Sequence, residues 1–389
     1  MKIRTVIFWA HLVAGDGAGL VILLMSVTGV LLTYERQMTA WSEDSYLAEV
    51  EDGAEMLPAD DLLAVLREAA PEAEQLTLIY SKEPGSIVRG SAGRGRPFLI
   101  DPYRGEILLE GATATDRFFT TVMYVHRWFA LTGDSRGIGR AITGYSNLLF
   151  FFLLLSGTYL WLPRIWTWAA VKTKVFFNAR ARTGKARDFN WHHVFSFWAF
   201  VPLLFVIPTA SVFYFPWAND LLYGAFGEEP PERRRGARVE PLAAGTPALS
   251  KQALLERALT EVESRSVDDW KTVSMQVGAF PQTSAQFRID ESIGGQPQAV
   301  SRLTLSATDG AVQDWRTFAD NTPGSQARSV VRFLHTGEVL GFIGQTLAGL
   351  ASLAACFLVW TGLALAWRRL ISPLLRRSAA PPGAAHDRP

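Results

Sequence analysis

Cysteine is nearly absent from this chain, whose 389 residues include only one, Cys356. A single thiol excludes an internal disulfide, a cysteine-rich metal site and an iron–sulfur cluster held by four thiolates. It also excludes the C-x-x-C-H attachment of c-type haem, so any haem would be bound non-covalently. Histidine is scarce as well, with six residues, and each of the six can therefore be weighed individually.

An excess of charge of one sign is also missing. The formal net charge is +1 and 19% of the residues are charged, yet the mean hydropathy of +0.12 is high for a soluble protein. These values fit a chain in which apolar spans alternate with polar domains. The sequence contains no nicotinamide or flavin fingerprint, and we expect no nucleic-acid partner.

Four apolar segments are long enough to span a bilayer, since about 20 residues cross a hydrocarbon core of about 30 Å. The first follows Lys2 and Arg4, as a signal peptide would. However, Ser26–Gly29 is followed by more apolar residues rather than by a small-x-small cleavage site, which predicts an uncleaved anchor. The four predicted transmembrane helices cover residues 1–34, 139–163, 192–215 and 341–367.

The basic residues predict the orientation of these spans. The loop at 164–191 contains seven basic residues against one acid, and the tail at 368–389 contains five against one. Because basic loops remain in the cytoplasm, this loop and both termini are predicted to be cytoplasmic. The long polar segments at 35–138 and 216–340 would then lie on the outer side of the lipid bilayer.

The two outer segments resemble each other. Each predicts a helix, Ala59–Ala69 in the first and Ser250–Glu263 in the second, followed by strands. Each also contains a hairpin turn with aspartate and glycine, Asp101–Gly105 and Asp309-Gly310. The predicted strands are Gln75–Tyr80, Phe98–Ile100, Glu106–Leu109, Thr272–Val277, Ala285–Ile289, Arg302–Leu305 and Ala311–Trp315. The pattern predicts two small α+β modules.

Each module is followed by a segment with one histidine and then by a span, which indicates an internal duplication. The predicted fold class is an α-helical membrane protein with four transmembrane helices and two extracytoplasmic α+β modules. Because the first and third spans run in the same direction, the repeat is predicted to be parallel, about an axis along the membrane normal.

Four of the six histidines form two pairs at matching depths. His11 and His192 lie near the cytoplasmic ends of spans one and three. His126 and His335 precede spans two and four on the outer side. Two imidazoles that face each other across a pseudo-two-fold axis can supply both axial ligands of a haem iron. Zinc, which prefers four ligands, fits less well, and interfacial histidines that bind nothing are the other interpretation.

Further polar groups have more than one interpretation. On a helix His193 points about 100° away from His192, so it is the weaker ligand candidate of the two. Arg127 and Arg332 could pair with haem propionates, with lipid headgroups or with module carboxylates. A carboxylate at the depth of Asp16 costs at least about 2.5 kcal/mol. Protonation, a hydrogen bond, or a place in a proton or quinone path would each account for it.

Together these residues resemble the PepSY-associated transmembrane proteins, iron-regulated inner-membrane proteins of bacteria. The resemblance covers nearly the whole chain. The Asp101–Gly105 turn is similar to the Asp-Pro-x-x-Gly turn of PepSY modules, whereas Asp309-Gly310 lacks the proline and Asp16 replaces an expected apolar residue. The other matching segments are His11–Gly15, Thr28–Leu32, Val125–Trp128, Ser156–Arg164, Trp191–Phe195 and Leu334–Gly337.

The family includes ferric-siderophore reductases that carry b-type haems. The resemblance therefore implies two b-type haems, an inner one on His11 and His192 and an outer one on His126 and His335. Electrons would pass from an external donor, a quinol or a cytoplasmic reductase, to a periplasmic ferric siderophore and reduce Fe(III) to Fe(II). Two alternatives stay open. One is a haem relay to another periplasmic acceptor, and the other is a PepSY-containing membrane sensor or peptidase-regulating protein without redox activity.

Overall fold

The computed structural model describes residues 3–47, 53–93, 95–232, 240–267, 269–278 and 280–378. Lys2 and the end of the predicted tail, with His386, lie outside the described residues.

Twelve α-helices occur within the described residues. Four of them, α1, α5, α7 and α11, are long and apolar enough to cross a membrane. The helices are α1 Ile3–Leu31, α2 Glu35–Asp44, α3 Ala59–Ala69, α4 Ala114–Trp128, α5 Arg136–Trp161, α6 Trp168–Val175, α7 Gly184–Tyr214, α8 Pro216–Gly224, α9 Lys251–Ser264, α10 Pro323–Thr336, α11 Gly341–Leu370 and α12 Ser372–Ser378. The prediction of a helical membrane protein with four spans is confirmed.

The four long helices form a bundle in which α1 and α7 each pack against both α5 and α11. Helices α1 and α7, which begin the two halves of the repeat, therefore lie diagonally opposite each other. In the bundle core, Ala351 and Ala355 of α11 are buried against Leu203 and Ile207 of α7. Small side chains at such positions allow helices to approach closely in a membrane, where no hydrophobic force drives them together.

The strands of both polar segments form one antiparallel sheet of eight strands, in the order β4-β3-β2-β1-β5-β6-β7-β8. Helices α3 and α9 contact each other and cover the apolar face of this sheet. The strands are β1 Gln75–Ser81, β2 Val88–Ala92, β3 Arg96–Asp101, β4 Glu106–Glu110, β5 Thr272–Gly278, β6 Ser284–Asp290, β7 Val300–Ser306 and β8 Val312–Arg316.

The sequence predicted two modules and did not predict that they share a sheet. Strands β1 and β5 pair directly, with Leu78 opposite Met275. Leu76 pairs with Val277 and Tyr80 with Val273, so the register is reciprocal, as expected for a two-fold relation between repeats. Pairing of β1 with β5 removes an exposed edge from each four-stranded meander, which explains why the modules do not remain separate.

Helix α7 begins at Gly184, eight residues before the start predicted for the third span. The added turns carry Asp188, whose carboxylate is buried between two guanidinium groups. Arg368 of α11 donates to it at 2.5 Å and Arg187 at 3.0 Å. A buried carboxylate needs such partners, so this ion pair extends the helix beyond the apolar stretch and ties it to the end of α11.

Gly139 of α5 lies directly against the end of the histidine-bearing helix α4. A Cβ on Gly139 would overlap the backbone oxygen of Trp128, whereas a Cβ on Gly137 would meet open space. We expect Gly139→Ala to destabilise the protein by about 2 kcal/mol or more, because the clash involves backbone that must move.

The matched variant Gly137→Ala on the same helix should leave stability nearly unchanged. Thermal unfolding of both variants in the same detergent measures the difference, and equal midpoints would contradict the close contact between α4 and α5.

Candidate functional site

His126 and His335 meet at the end of the bundle that carries the sheet. Each lies in the last turn of its helix, α4 or α10. A left-handed residue, Phe129 or Gly337, ends that helix and reverses the chain into the next span. The two imidazole rings face each other with their centroids 6.4 Å apart. The structure thus brings together the predicted outer pair.

Hydrogen bonds to the neighbouring spans hold both rings. The Nδ1 atom of His335 lies 2.8 Å from the carbonyl oxygen of Val206 on α7. A carbonyl can only accept, so this nitrogen carries the proton. The Nδ1 atom of His126 lies 2.8 Å from the hydroxyl of Thr28 on α1. That hydroxyl donates its own proton to Leu24 at 2.7 Å, so it accepts from His126.

The same arrangement recurs at the opposite end of the bundle. His11 on α1 places Nδ1 2.8 Å from the hydroxyl of Ser156 on α5. His192 on α7 places Nδ1 3.0 Å from the hydroxyl of Thr361 on α11. Both hydroxyls donate to a carbonyl one turn back on their own helix, at 2.7 and 2.6 Å. All four imidazoles are therefore protonated at Nδ1, and the Nε2 lone pair of each is available to bind a metal.

Glycines accompany the inner pair at equivalent positions. A Cβ on Gly157 would lie 3.2 Å from Cε1 of His11, and one on Gly362 would lie 3.5 Å from Cε1 of His192. Each glycine directly follows the hydroxyl residue that holds the ring. A methyl group at either position would crowd the edge of the imidazole.

The two histidine levels are well separated along the bundle. Seventeen residues separate His11 from Thr28, which contacts His126, and seventeen separate His192 from Thr209, which lies 3.4 Å from His335. At about 1.5 Å per residue, the levels are about 25 Å apart. This spacing is close to the thickness of a hydrocarbon core.

A cavity of about 600 Å³ opens between the spans beside His11 and His192, and both line it. Asp16, Gly15 and His193 also face it. His193 bonds the carbonyl of Phe189 on its own helix at 2.8 Å rather than a neighbouring span. Basic side chains surround this cavity, namely Arg4, Lys174, Lys185, Arg368 and Arg369.

The predicted propionate partners lie near the outer pair but contact aromatic rings. The guanidinium of Arg127 stands 4.6 Å from the ring of Trp128, and that of Arg332 stands 5.3 Å from the ring of Phe333. Within the described part of the chain, neither arginine forms an ion pair with a carboxylate.

At the outer level two imidazole nitrogens can be offered to one metal. At the inner level His11 and His192 line one cavity. The His126 and His335 centroids lie 6.4 Å apart with the ring planes inclined by 56°, and metal–imidazole bonds of about 2 Å would fit between rings at this separation. Among the described residues, no group of three or more His, Cys, Asp or Glu side chains is arranged so that it could hold a metal ion. The donor set therefore fits a metal whose other ligands come from a macrocycle better than it fits tetrahedral zinc.

Sequence reasoning missed the groups that hold the rings. Thr28 and Ser156 were noted only as parts of matching segments, and Thr361 and Val206 not at all. The seventeen-residue spacing and the Ser/Thr-Gly pairs were signals that could have identified three of them. The carbonyl of Val206 has no sequence signal, because every residue has a carbonyl.

The tautomers can be tested without any ligand. In ¹⁵N spectra of histidine-labelled protein, we expect the imidazoles of the four site histidines to be protonated at Nδ1. Thr28→Val should change the His126 signal, because it removes the oxygen that accepts the Nδ1 proton, whereas Thr121→Val on the exposed face of α4 should not. Nε2-protonated signals from these four rings would contradict the assignment.

Comparison with known proteins assigns the chain to a family. The family model described as the PepSY-associated TM region matches residues 8–369, which include nearly all of the four long helices and the four site histidines. Among curated proteins, none matches this chain. Because the family model covers far more than half of the sequence, the chain belongs to the PepSY-associated transmembrane family.

Proposed function

We propose that this protein is a di-haem b electron-transfer protein of the bacterial inner membrane that reduces a ferric siderophore at the periplasmic face. The observation that carries the proposal is the pairing of His126 with His335, whose rings face each other at 6.4 Å with both Nε2 atoms available. His11 and His192 repeat the same hydrogen-bond design at the other level.

A b-type haem held by two imidazoles changes between Fe(III) and Fe(II) and carries one electron at a time. The chain's part is to position the ligands and to tune them. Hydrogen bonds from Nδ1 to Thr28, Ser156, Thr361 and Val206 fix each ring and raise the basicity of Nε2. The apolar spans around the rings exclude water from them.

The basic residues beside the inner cavity complete that site. Arg4 and Arg369 line the same cavity as His11 and His192. Guanidinium groups bind carboxylates with paired, charge-assisted hydrogen bonds, so these arginines are our candidates for the inner propionates. At the outer level Arg127 and Arg332 remain the candidates.

The reaction transfers one electron to each ferric ion. Fe(II) binds hard oxygen donors more weakly than Fe(III), so reduction favours release of the iron from its chelator. The basic loop at 164–191 and the tail predict that the sheet lies in the periplasm, beside the outer histidine pair. The electron is supplied by an external donor, a quinol or a cytoplasmic reductase.

Haem content provides the first test. The purified protein should show a reducible b-type spectrum. His126→Ala and His335→Ala should each remove about half of the haem, because each deletes one of the two imidazoles that would hold the outer haem. His193→Ala is the matched control and should retain both haems. A wild-type protein without a haem band would favour the sensor or peptidase-regulating alternative.

The acceptor needs a separate experiment. Chemically reduced protein should be reoxidised by a ferric siderophore in stopped-flow measurements, faster than by buffer alone. Ferric citrate and a quinone serve as comparison oxidants. Reoxidation by the quinone alone would replace iron reduction with a relay to another acceptor.

A further inference from the structure

A cleft of about 380 Å³ opens on the sheet side of the bundle, where α4, α5 and α7 meet. Three arginines line it together with three aromatic residues, and these six residues define the arginine cleft. They are Arg127, Arg136, Arg140, Trp128, Phe213 and Tyr214.

The three guanidinium groups are held by neutral contacts and keep their charge for a ligand. The guanidinium carbons of Arg127 and Arg136 lie 4.6 and 3.7 Å from the centroid of the buried Trp128 ring. Arg140 donates to the carbonyl of Tyr214 at 2.8 Å. In the described residues, no carboxylate lies within ion-pair distance of any of the three. Three positive charges thus converge on one concave surface, and among the described residues none of them forms an ion pair.

The internal duplication provides a control for this feature. Gly139 and Gly344 occupy equivalent positions in the two halves. A Cβ on Gly139 would overlap the carbonyl oxygen of Trp128 at the end of α4, and a Cβ on Gly344 would overlap that of Gly337 at the end of α10. The next residue is Arg140 in the first half and Gln345 in the second. Gln345 donates to the carbonyl of Thr33 at the end of α1, as Arg140 does at the end of α7. A neutral amide therefore suffices for the structural role.

After the second histidine helix, the charged groups are paired with one another. Glu338 is buried there, forms an ion pair with Arg36 and accepts from Thr336 at 2.7 Å. Gly295, in the loop after β6, packs directly on Glu338. In the first half the three guanidinium groups lie in an open cleft, and they form no ion pair with any residue that the structure describes.

The arginine cleft is adjacent to the outer histidine pair. Phe213 lines the cleft and also contacts His335, with ring centroids 6.1 Å apart. Arg127 directly follows His126 in α4. A molecule in the cleft would therefore lie next to Phe213, which contacts His335, and next to Arg127, which directly follows His126.

We propose that the arginine cleft binds the acceptor of the proposed reaction, and that this acceptor is an anionic ferric chelate with free carboxylate groups. The role of this molecule as electron acceptor rests on the proposed function, whereas its binding depends only on the cleft. Guanidinium groups match carboxylates in geometry and charge. A neutral ferric trihydroxamate offers no such groups and should bind weakly here.

Redox-inert Ga(III) citrate separates binding from electron transfer. The full-length protein in detergent is equilibrated with Ga(III) citrate by dialysis, and bound gallium is measured. The double variant Arg136→Gln with Arg140→Gln should bind at least tenfold more weakly, because it removes two of the three charges. Gln345 shows that glutamine can make the backbone bond at this position, so the variant should fold. Arg117→Gln, on the exposed face of α4, is the matched control and should bind like wild type.

Each other outcome has a defined meaning. Unchanged Ga(III) citrate binding in the double variant would overturn the proposal, and so would equal binding of a neutral Ga(III) trihydroxamate. If the variant instead loses co-purified anionic lipid or haem without losing citrate binding, the arginines hold a headgroup or a propionate and the proposal is again overturned. If the double variant keeps its haem and binds citrate as wild type does, this inference fails and the proposed function stands. If citrate binding depends on the arginines but the protein contains no haem, only the electron relay fails.

Discussion

The structure depends on one constraint, which is that an imidazole inside an apolar bundle must have a partner for its N–H group. Each of the four paired histidines meets this requirement by donating from Nδ1 to a neighbouring span. Three acceptors are hydroxyls whose own protons are already bonded to the helix backbone, and one is a carbonyl. Because of this constraint all four rings carry their proton on Nδ1, and the Nε2 atom of each ring is free for a ligand.

The internal duplication places the same histidine arrangement in both halves of the chain and also produces the helices and strands that hold it. Helices α1 and α7 each carry an inner histidine and, seventeen residues later, a threonine near an outer one. The two meanders meet at β1 and β5 with a reciprocal register. Because the repeat is joined both in the bundle and in the sheet, the two His-bearing helices are fixed relative to each other, and their rings can face across the axis.

The two halves differ where they meet the outer surface. In the second half Arg36 forms an ion pair with the buried Glu338, and Gly295 in the loop after β6 packs on Glu338. In the first half Arg127, Arg136 and Arg140 line an open cleft. The ligand proposed for the cleft would account for this difference. An acceptor held at this cleft would lie beside the outer histidine pair, on the side of the bundle that carries the sheet.

Hydropathy and periodicity by themselves determined the four spans, the helices of the two modules and most of the strands, because these features are local along the chain. The pairing of His126 with His335 was also predicted, since equivalent positions in a duplicated chain are related by symmetry. Tertiary structure alone decided the joining of β1 to β5, the acceptors Thr28 and Val206, and the convergence of three arginines on one cleft. Each of these is a contact between residues distant in sequence, and its partner depends on how the helices and strands pack.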